Sequence, residues 1–200
     1  MRVIIGLGNP GSEYEKTPHN VGFWTLELLA ERRGITFSRS TCMSWVGEHQ
    51  RNGEQVLLVQ PQTYMNRSGE AAGQIRDSYR LSVPDFLLVH DDLDLPAGRI
   101  RIKRGGGGAG GNRGVASVIE VLGSQDFARV KIGVGRPPDH SSVVNFVLRC
   151  FTPREEASML CAVRRAADAV DAVLTHGLEQ AMDRFNRTEP EELTQPIVQE

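Results

Sequence analysis

Four short apolar runs constrain this chain more than any other feature. They are Val3-Ile4-Ile5, Val56-Leu57-Leu58-Val59, Phe86-Leu87-Leu88-Val89 and Val130-Lys131-Ile132-Gly133-Val134. Runs of this length are the pattern of strands covered on both faces. Stretches of helical period lie between and after them. Val21 to Arg33 puts Val21, Trp24 and Leu28 on one face with Leu29 beside it, and predicts a helix capped by Asn20 and stopped at Gly34. Ser68 to Arg80 reads as a second helix with Ser68 as its cap, and Val115 to Leu122 as a third. From Pro153, apolar positions at Met159, Leu160, Val163, Ala166, Val170, Val173 and Leu174 give a long amphipathic helix ending at Gly177, and Leu178 to Phe185 adds a short one. Strands alternating with helices define the α/β class. Arg99-Ile100-Arg101-Ile102-Lys103 alternates strictly, so one face is wet and basic and the other buried.

At 200 residues the chain is long enough to bury a core as a single domain, expected over 1–187. The remaining 188–200 reads as an acidic, disordered tail with Glu189, Glu191, Glu192, Glu200 and two prolines. Net charge is −2, from 23 basic and 25 acidic residues. The bases cluster, however: Arg99, Arg101, Lys103, Arg104 and Arg113 fall between Gly98 and Gly114 with no acid among them, the pattern of a phosphate-contacting patch. Cys42, Cys150 and Cys161 are odd in number and form no C-x-x-C, which supports neither a disulfide framework nor a zinc site. The apolar start at Met1 is too short for a signal-peptide core, and no stretch approaches a membrane span. These features lead us to expect a soluble, cytoplasmic protein, and without an exposed apolar seam a monomer.

In open α/β sheets, functional groups collect beyond strand C-terminal ends. Three turn segments leave strands this way: Gly8-Asn9-Pro10-Gly11, Pro61 to Asn66, and His90-Asp91-Asp92. Gly6-Leu7-Gly8-Asn9-Pro10-Gly11 matches G-x-G-x-x-G, but Asn-Pro-Gly is turn chemistry where a dinucleotide fingerprint opens a helix, and the acids some 20 residues on, Glu27 and Glu31, lie inside a helical pattern and not at the end of a second strand. A turn that holds the Asn9 amide beside a cleft is the better reading. His19 stands just ahead of the first helix, and Asp91, with Asp92 and Asp94 as competitors, is a candidate carboxylate partner. The same acids could hold Mg²⁺, though no other acid-rich segment accompanies them. Tyr64 could stack on a base or ribose, and Asn66 could donate to a carbonyl or phosphate. The loop Gly105 to Gly111, ending in Asn112 and Arg113, offers backbone N–H groups and a cation to an anion, without the ending of a triphosphate-binding loop.

Taken in order, Gly6-Leu7-Gly8-Asn9-Pro10-Gly11, Tyr14, Thr17-x-His19-Asn20, Tyr64-Met65-Asn66, His90-Asp91-Asp92-Leu93-Asp94-Leu95-Pro96 and the glycine loop resemble bacterial peptidyl-tRNA hydrolase from Met1 to about Phe185. Val130 to Pro137 fits as well. The resemblance implies a single α/β domain, a mixed twisted sheet wrapped by helices. It also implies metal-independent, cofactor-free cleavage of the ester between peptide and tRNA. By matching position, His19 is the general base, Asp91 orients it, Asn9 senses the acylated amino group, and Asn66 positions the peptide or the attacked carbonyl. Tyr14 and Tyr64 line the site for the tRNA end, while Lys103, Asn112 and Arg113 belong to tRNA binding. The family usually reads Gly-Gly-His-Asn-Gly after its glycine run, whereas this chain has Gly110-Gly111-Asn112-Arg113-Gly114. Aligned from upstream, Asn112 takes the family's Asn place; aligned from the following helix, Arg113 does. Pro18 stands where the family commonly has Arg. The competing expectations are a non-catalytic RNA-binding module on the same fold, as in relatives that assist RNA splicing in chloroplasts, and a nicotinamide-dependent oxidoreductase.

Overall fold

The structure is a computed structural model and describes residues 1–40, 42–51, 53–137 and 142–187. The acidic tail expected at 188–200 lies outside them. Among the described residues, seven strands form one sheet: β1 (Arg2–Gly6), β2 (Ser38–Ser40), β3 (Ser44–Arg51), β4 (Glu54–Pro61), β5 (Phe86–Asp92), β6 (Ile100–Lys103) and β7 (Ala128–Gly133), in the order β2-β3-β4-β1-β5-β7-β6. The middle is parallel, with β1 between β4 and β5 and β7 beyond β5. Both flanks are antiparallel: β3 pairs with β2 and β4, and β6 pairs with β7. The sheet is therefore mixed, and its apolar runs are the parallel strands.

Among the described residues, six α-helices cover it: α1 (Val21–Arg33), α2 (Ser68–Tyr79), α3 (Arg113–Leu122), α4 (Val143–Leu148), α5 (Pro153–His176) and α6 (Leu178–Phe185). Alternation along each strand divides the core in two. Ile4, Leu58 and Val89 face Leu26 of α1 and Val163 and Val170 of α5. Val3, Ile5, Leu57 and Leu88 face Ile75 of α2 and Val118 of α3. Burial of this kind contributes about 1.5–3 kcal/mol per large side chain, so the two layers are the main source of stability. None of the helices among the described residues is long and apolar enough to cross a membrane.

Two details fix the helix that carries the site. A Cβ on Gly22 would sit 2.4 Å from the Leu7 carbonyl oxygen and 2.5 Å from that of Val89, so only glycine lets α1 lie directly on β1 and β5. At its other end Gly34 takes φ 62° and returns its N–H to the carbonyls of Ala30 and Glu31. Two expected caps are corrected. Asn20 does not cap α1 with its side chain, because both ends of its amide pair with the backbone of Asn9. Ser68 lies inside α2 and donates its hydroxyl to the Met65 carbonyl at 2.8 Å, closing the turn Met65–Arg67. At the sheet margin, the Asn186 amide accepts from the Ile102 N–H at 2.7 Å and donates to the Ile102 carbonyl at 2.8 Å.

Candidate active site

The C-terminal ends of β1, β4 and β5 open on a cleft of about 250 Å³. His19 lies in the short turn Pro18–Asn20 immediately before α1, and Asp91 on β5. His19 Nδ1 and Asp91 Oδ2 are 2.9 Å apart, with the two side chains 12% and 3% exposed. A carboxylate only accepts, so Nδ1 is the donor of this bond. The other carboxylate oxygen, Oδ1, accepts from Asn112 Nδ2 at 2.8 Å. Asn112 Oδ1 in turn accepts from the N–H groups of Gly114 and Val115 at 3.0 and 3.1 Å, which makes Asn112 the cap of α3. A chain of bonds thus runs from the α3 N-terminus through Asn112 and Asp91 to the imidazole.

The other wall is equally fixed. Asn9, buried in the turn after β1, accepts the Met65 N–H on Oδ1 at 2.7 Å. Its own N–H and C=O pair with Asn20, each at 2.9 Å. The Asn9 Nδ2 has no hydrogen bond among the described residues and remains a donor at the cleft. Met65 packs so closely on α3 that a Cβ on Gly114 would meet its sulfur at 2.4 Å. Asn66 is exposed at the rim, and Tyr64, 57% exposed, meets the edge of Tyr14 with ring centroids 6.5 Å apart. Arg113 is exposed on the opposite rim at the first position of α3. Asn112, not Arg113, is therefore the residue turned inwards onto Asp91.

Lys103 is not in the cleft. It sits on β6 beside Gly107, opposite Arg129 in the β6–β7 register. Burial lowers the pKa of its ammonium, and the charges of Arg129, Lys131 and Arg101 lower it further. Of the neighbouring candidates, Asp92 pairs with Lys131; burial pushes its carboxyl up, but the bonds from Lys131 and the Asp94 N–H outweigh this and hold it below the usual range. Asp94 pairs with Arg136. His90 points away from the cleft side of β5 and is buried, which pushes its imidazole down from the ordinary value despite Asp91. His19 thus meets one carboxylate, Asp91, and the other two acids are engaged elsewhere. No group of three or more His, Cys, Asp or Glu among the described residues is placed to hold a metal ion.

The apolar wall of α4 is what the sequence reading missed. Val143, Val144, Val147 and Leu148 line the cleft, and α4 packs against the turn that carries His19. Their i, i+1, i+4, i+5 spacing was an available helical signal.

An imidazole polarised by a buried carboxylate, flanked by free amide donors in an open cleft of an α/β sheet, is the equipment of a hydrolase. The sequence profile of the family described as peptidyl-tRNA hydrolase matches residues 3–193. The chain is 46% identical over 189 residues to a peptidyl-tRNA hydrolase of Dehalococcoides mccartyi, covering 93% of this chain and 100% of that one. It is 44% identical to one from Chloroflexus aggregans, covering 93% and 99%. Among solved structures, peptidyl-tRNA hydrolase from Acinetobacter baumannii superposes with a TM-score of 0.87 at 36% identity, covering 95% of this chain and 96% of that one. The chain belongs to the peptidyl-tRNA hydrolase family.

Proposed function

We propose that this protein hydrolyses the ester that joins peptide to tRNA in peptidyl-tRNA, releasing the tRNA for reuse in translation. The carrying observation is the 2.9 Å contact between His19 Nδ1 and Asp91 at the floor of an open cleft. His19 Nε2 takes a proton from water as it attacks the ester carbonyl, while Asp91 orients the ring and stabilises the imidazolium that forms. Asn112 holds Asp91 in turn. The Asn9 Nδ2 donates to the carbonyl of the acylated amino group, which separates peptidyl-tRNA from free aminoacyl-tRNA, and Asn66 positions the peptide or the attacked carbonyl. Tyr14 and Tyr64 receive the acceptor end, and Arg113 and Lys103 meet phosphates on either side of the glycine loop. No metal or cofactor enters this scheme. Every group in it comes from one chain, so a monomer suffices, and its place of work is the cytoplasm, with translation.

A non-catalytic RNA-binding module would have no use for the bonded run His19–Asp91–Asn112. The oxidoreductase reading loses its support because the glycine motif leads into the short turn Ser12–Tyr14 and not into a long helix. The test is cleavage of N-acetylaminoacyl-tRNA with free aminoacyl-tRNA spared. His19→Ala is expected to lower kcat by ~10²–10⁴-fold while tRNA affinity persists. A wild-type protein that binds tRNA and cleaves nothing would transfer the reading to the binding module.

A further inference from the structure

The mechanism leaves one buried imidazole without a task, that of His90. Side chains alternate between the two faces of β5. Asp91 therefore points with Val89 towards α1 and His19, while His90 points with Leu88 into the layer of α2 and α3, where it is 1% exposed. Carbonyl groups alternate too, between the two edges of a strand. The Val89 carbonyl faces β1 and accepts the Leu7 N–H at 2.9 Å, and the Asp92 carbonyl faces the other way and accepts the Val134 N–H at 3.0 Å. The Asp91 carbonyl thus faces the side of β1. But β1 ends at Gly6, which is in register with Val89, so no strand residue stands opposite Asp91. Two side chains serve instead: His90 Nδ1 donates to this carbonyl at 2.7 Å, and Asn112 Nδ2 at 3.3 Å. The other ring nitrogen, His90 Nε2, is buried and has no hydrogen-bond partner among the described residues. Burial, aided by the charge of Lys131, pushes the His90 pKa below its ordinary value against the pull of Asp91 and Asp92. The ring is therefore neutral at pH 7, with its one proton on Nδ1. An unpaired buried acceptor is a cost to folding that an apolar side chain in this place would not carry. What the imidazole adds is the single bond to Asp91.

We propose that His90 is a positioning residue for the His19–Asp91 pair. It stands in for the strand that β1 no longer supplies, and fixes the peptide plane at Asp91 from which the carboxylate reaches His19 Nδ1. The inference rests on the hydrolase reading only for the reaction used to test it. Asp91 is held at two places, its carboxylate by His19 and Asn112 and its carbonyl by His90 and Asn112. Of the two bonds to the carbonyl, the one from His90 is the shorter. Without it the peptide plane is free to turn, and the carboxylate turns with it. A misplacement of ~1 Å in a catalytic arrangement costs about 10²-fold in rate. His90 does not line the cleft, so its part in the reaction runs through Asp91 and not through contact with substrate.

Two amide side chains separate this role from plain packing. His90→Asn sets an amide nitrogen at the place of Nδ1, whereas His90→Gln sets one at the place of Nε2, and both lose the ring. Thermal melts should show both variants destabilised. With N-acetylaminoacyl-tRNA, His90→Asn is expected to keep most of the wild-type kcat. His90→Gln and His90→Phe should lower kcat by about 10- to 100-fold with KM unchanged. Equal kcat in the Asn and Gln variants, or a loss confined to KM, overturns the proposal. Nitrogen-15 NMR of the imidazoles tests it in the wild-type protein, whose five histidines can be assigned one by one. His90 is expected as the neutral Nδ1–H form at pH 7, and an Nε2–H form overturns the proposal. The His19 Nδ1 proton should be visible in the wild type and in His90→Asn, and lost to solvent exchange in His90→Gln. Its survival in His90→Gln likewise overturns the proposal. Should the wild-type protein cleave no N-acetylaminoacyl-tRNA, the hydrolase reading fails, and the two NMR readings alone decide whether His90 sets Asp91.

Discussion

Asn112 spends both ends of one amide: its oxygen caps α3, and its nitrogen holds Asp91. Those two jobs can be separated. Asn112→Ala removes both, and is expected to cost about 0.5–2 kcal/mol of stability together with most turnover. Asn112→Ser keeps a capping oxygen but cannot reach as a donor, so stability should recover towards wild type while kcat stays low. Thermal melts and cleavage assays on the two variants check this, and recovery of activity in the serine variant would show that only the cap matters. At this scale the sequence was informative about which residues meet and silent about how. His19 and Asp91, 72 positions apart, were legible as partners because one imidazole preceded a helix and one acid closed an apolar strand. The role of Asn20 was not legible. An asparagine before a helix reads as a cap, and only the folded turn shows both of its amide groups committed to Asn9.

Among the elements, α5 begins where the site needs support. The Phe151 N–H donates to the Lys16 carbonyl at 2.8 Å, which ties the start of α5 to the segment leading into His19. Thr152 and Glu155 cap one another there, and Arg149 clamps the same Glu155 carboxylate with bonds of 2.8 and 2.5 Å. Those bonds from Arg149, with help from Thr152, outweigh burial and lower the Glu155 pKa from an ordinary 4.5 to about 2. A depressed pKa means that the folded state prefers the carboxylate. Its contribution is therefore complete above the unfolded value and disappears as pH falls through the folded one. The difference in Tm between wild type and Glu155→Gln should be constant at neutral pH, shrink from about pH 4.5 downwards and vanish near pH 2, as melts across that range would show. Thr152→Ala should cost about 0.5–2 kcal/mol at any pH above this window. Helices α1 and α5 were legible to the residue, since long periodic faces with glycine stops leave little freedom, and α6 follows directly from the stop at Gly177. The strand β3 was not: of its eight residues only Trp45 and Val46 are large and apolar, and Asn52-Gly53, a hairpin dipeptide, was the signal that remained.

For the whole molecule, buried apolar runs announced a parallel centre, but the order of strands depends on crossovers that no local pattern encodes. The antiparallel flanks had to be seen. One of those flanks ends the sheet at β6, a strand of four residues with Arg101 facing solvent. Charge there discourages a stranger from zipping on. The carboxamide of Asn186 does more, since it imitates a neighbouring peptide unit and occupies the two main-chain groups that a fresh strand would seize. A chain cut after Phe185, or carrying Asn186→Ala, would keep its cleft and lose its stopper. Such a protein should self-associate along that margin as concentration rises, visible as growing mass in light scattering, while the intact form stays single. One amide, far along the chain from His19, thus closes the margin of the sheet.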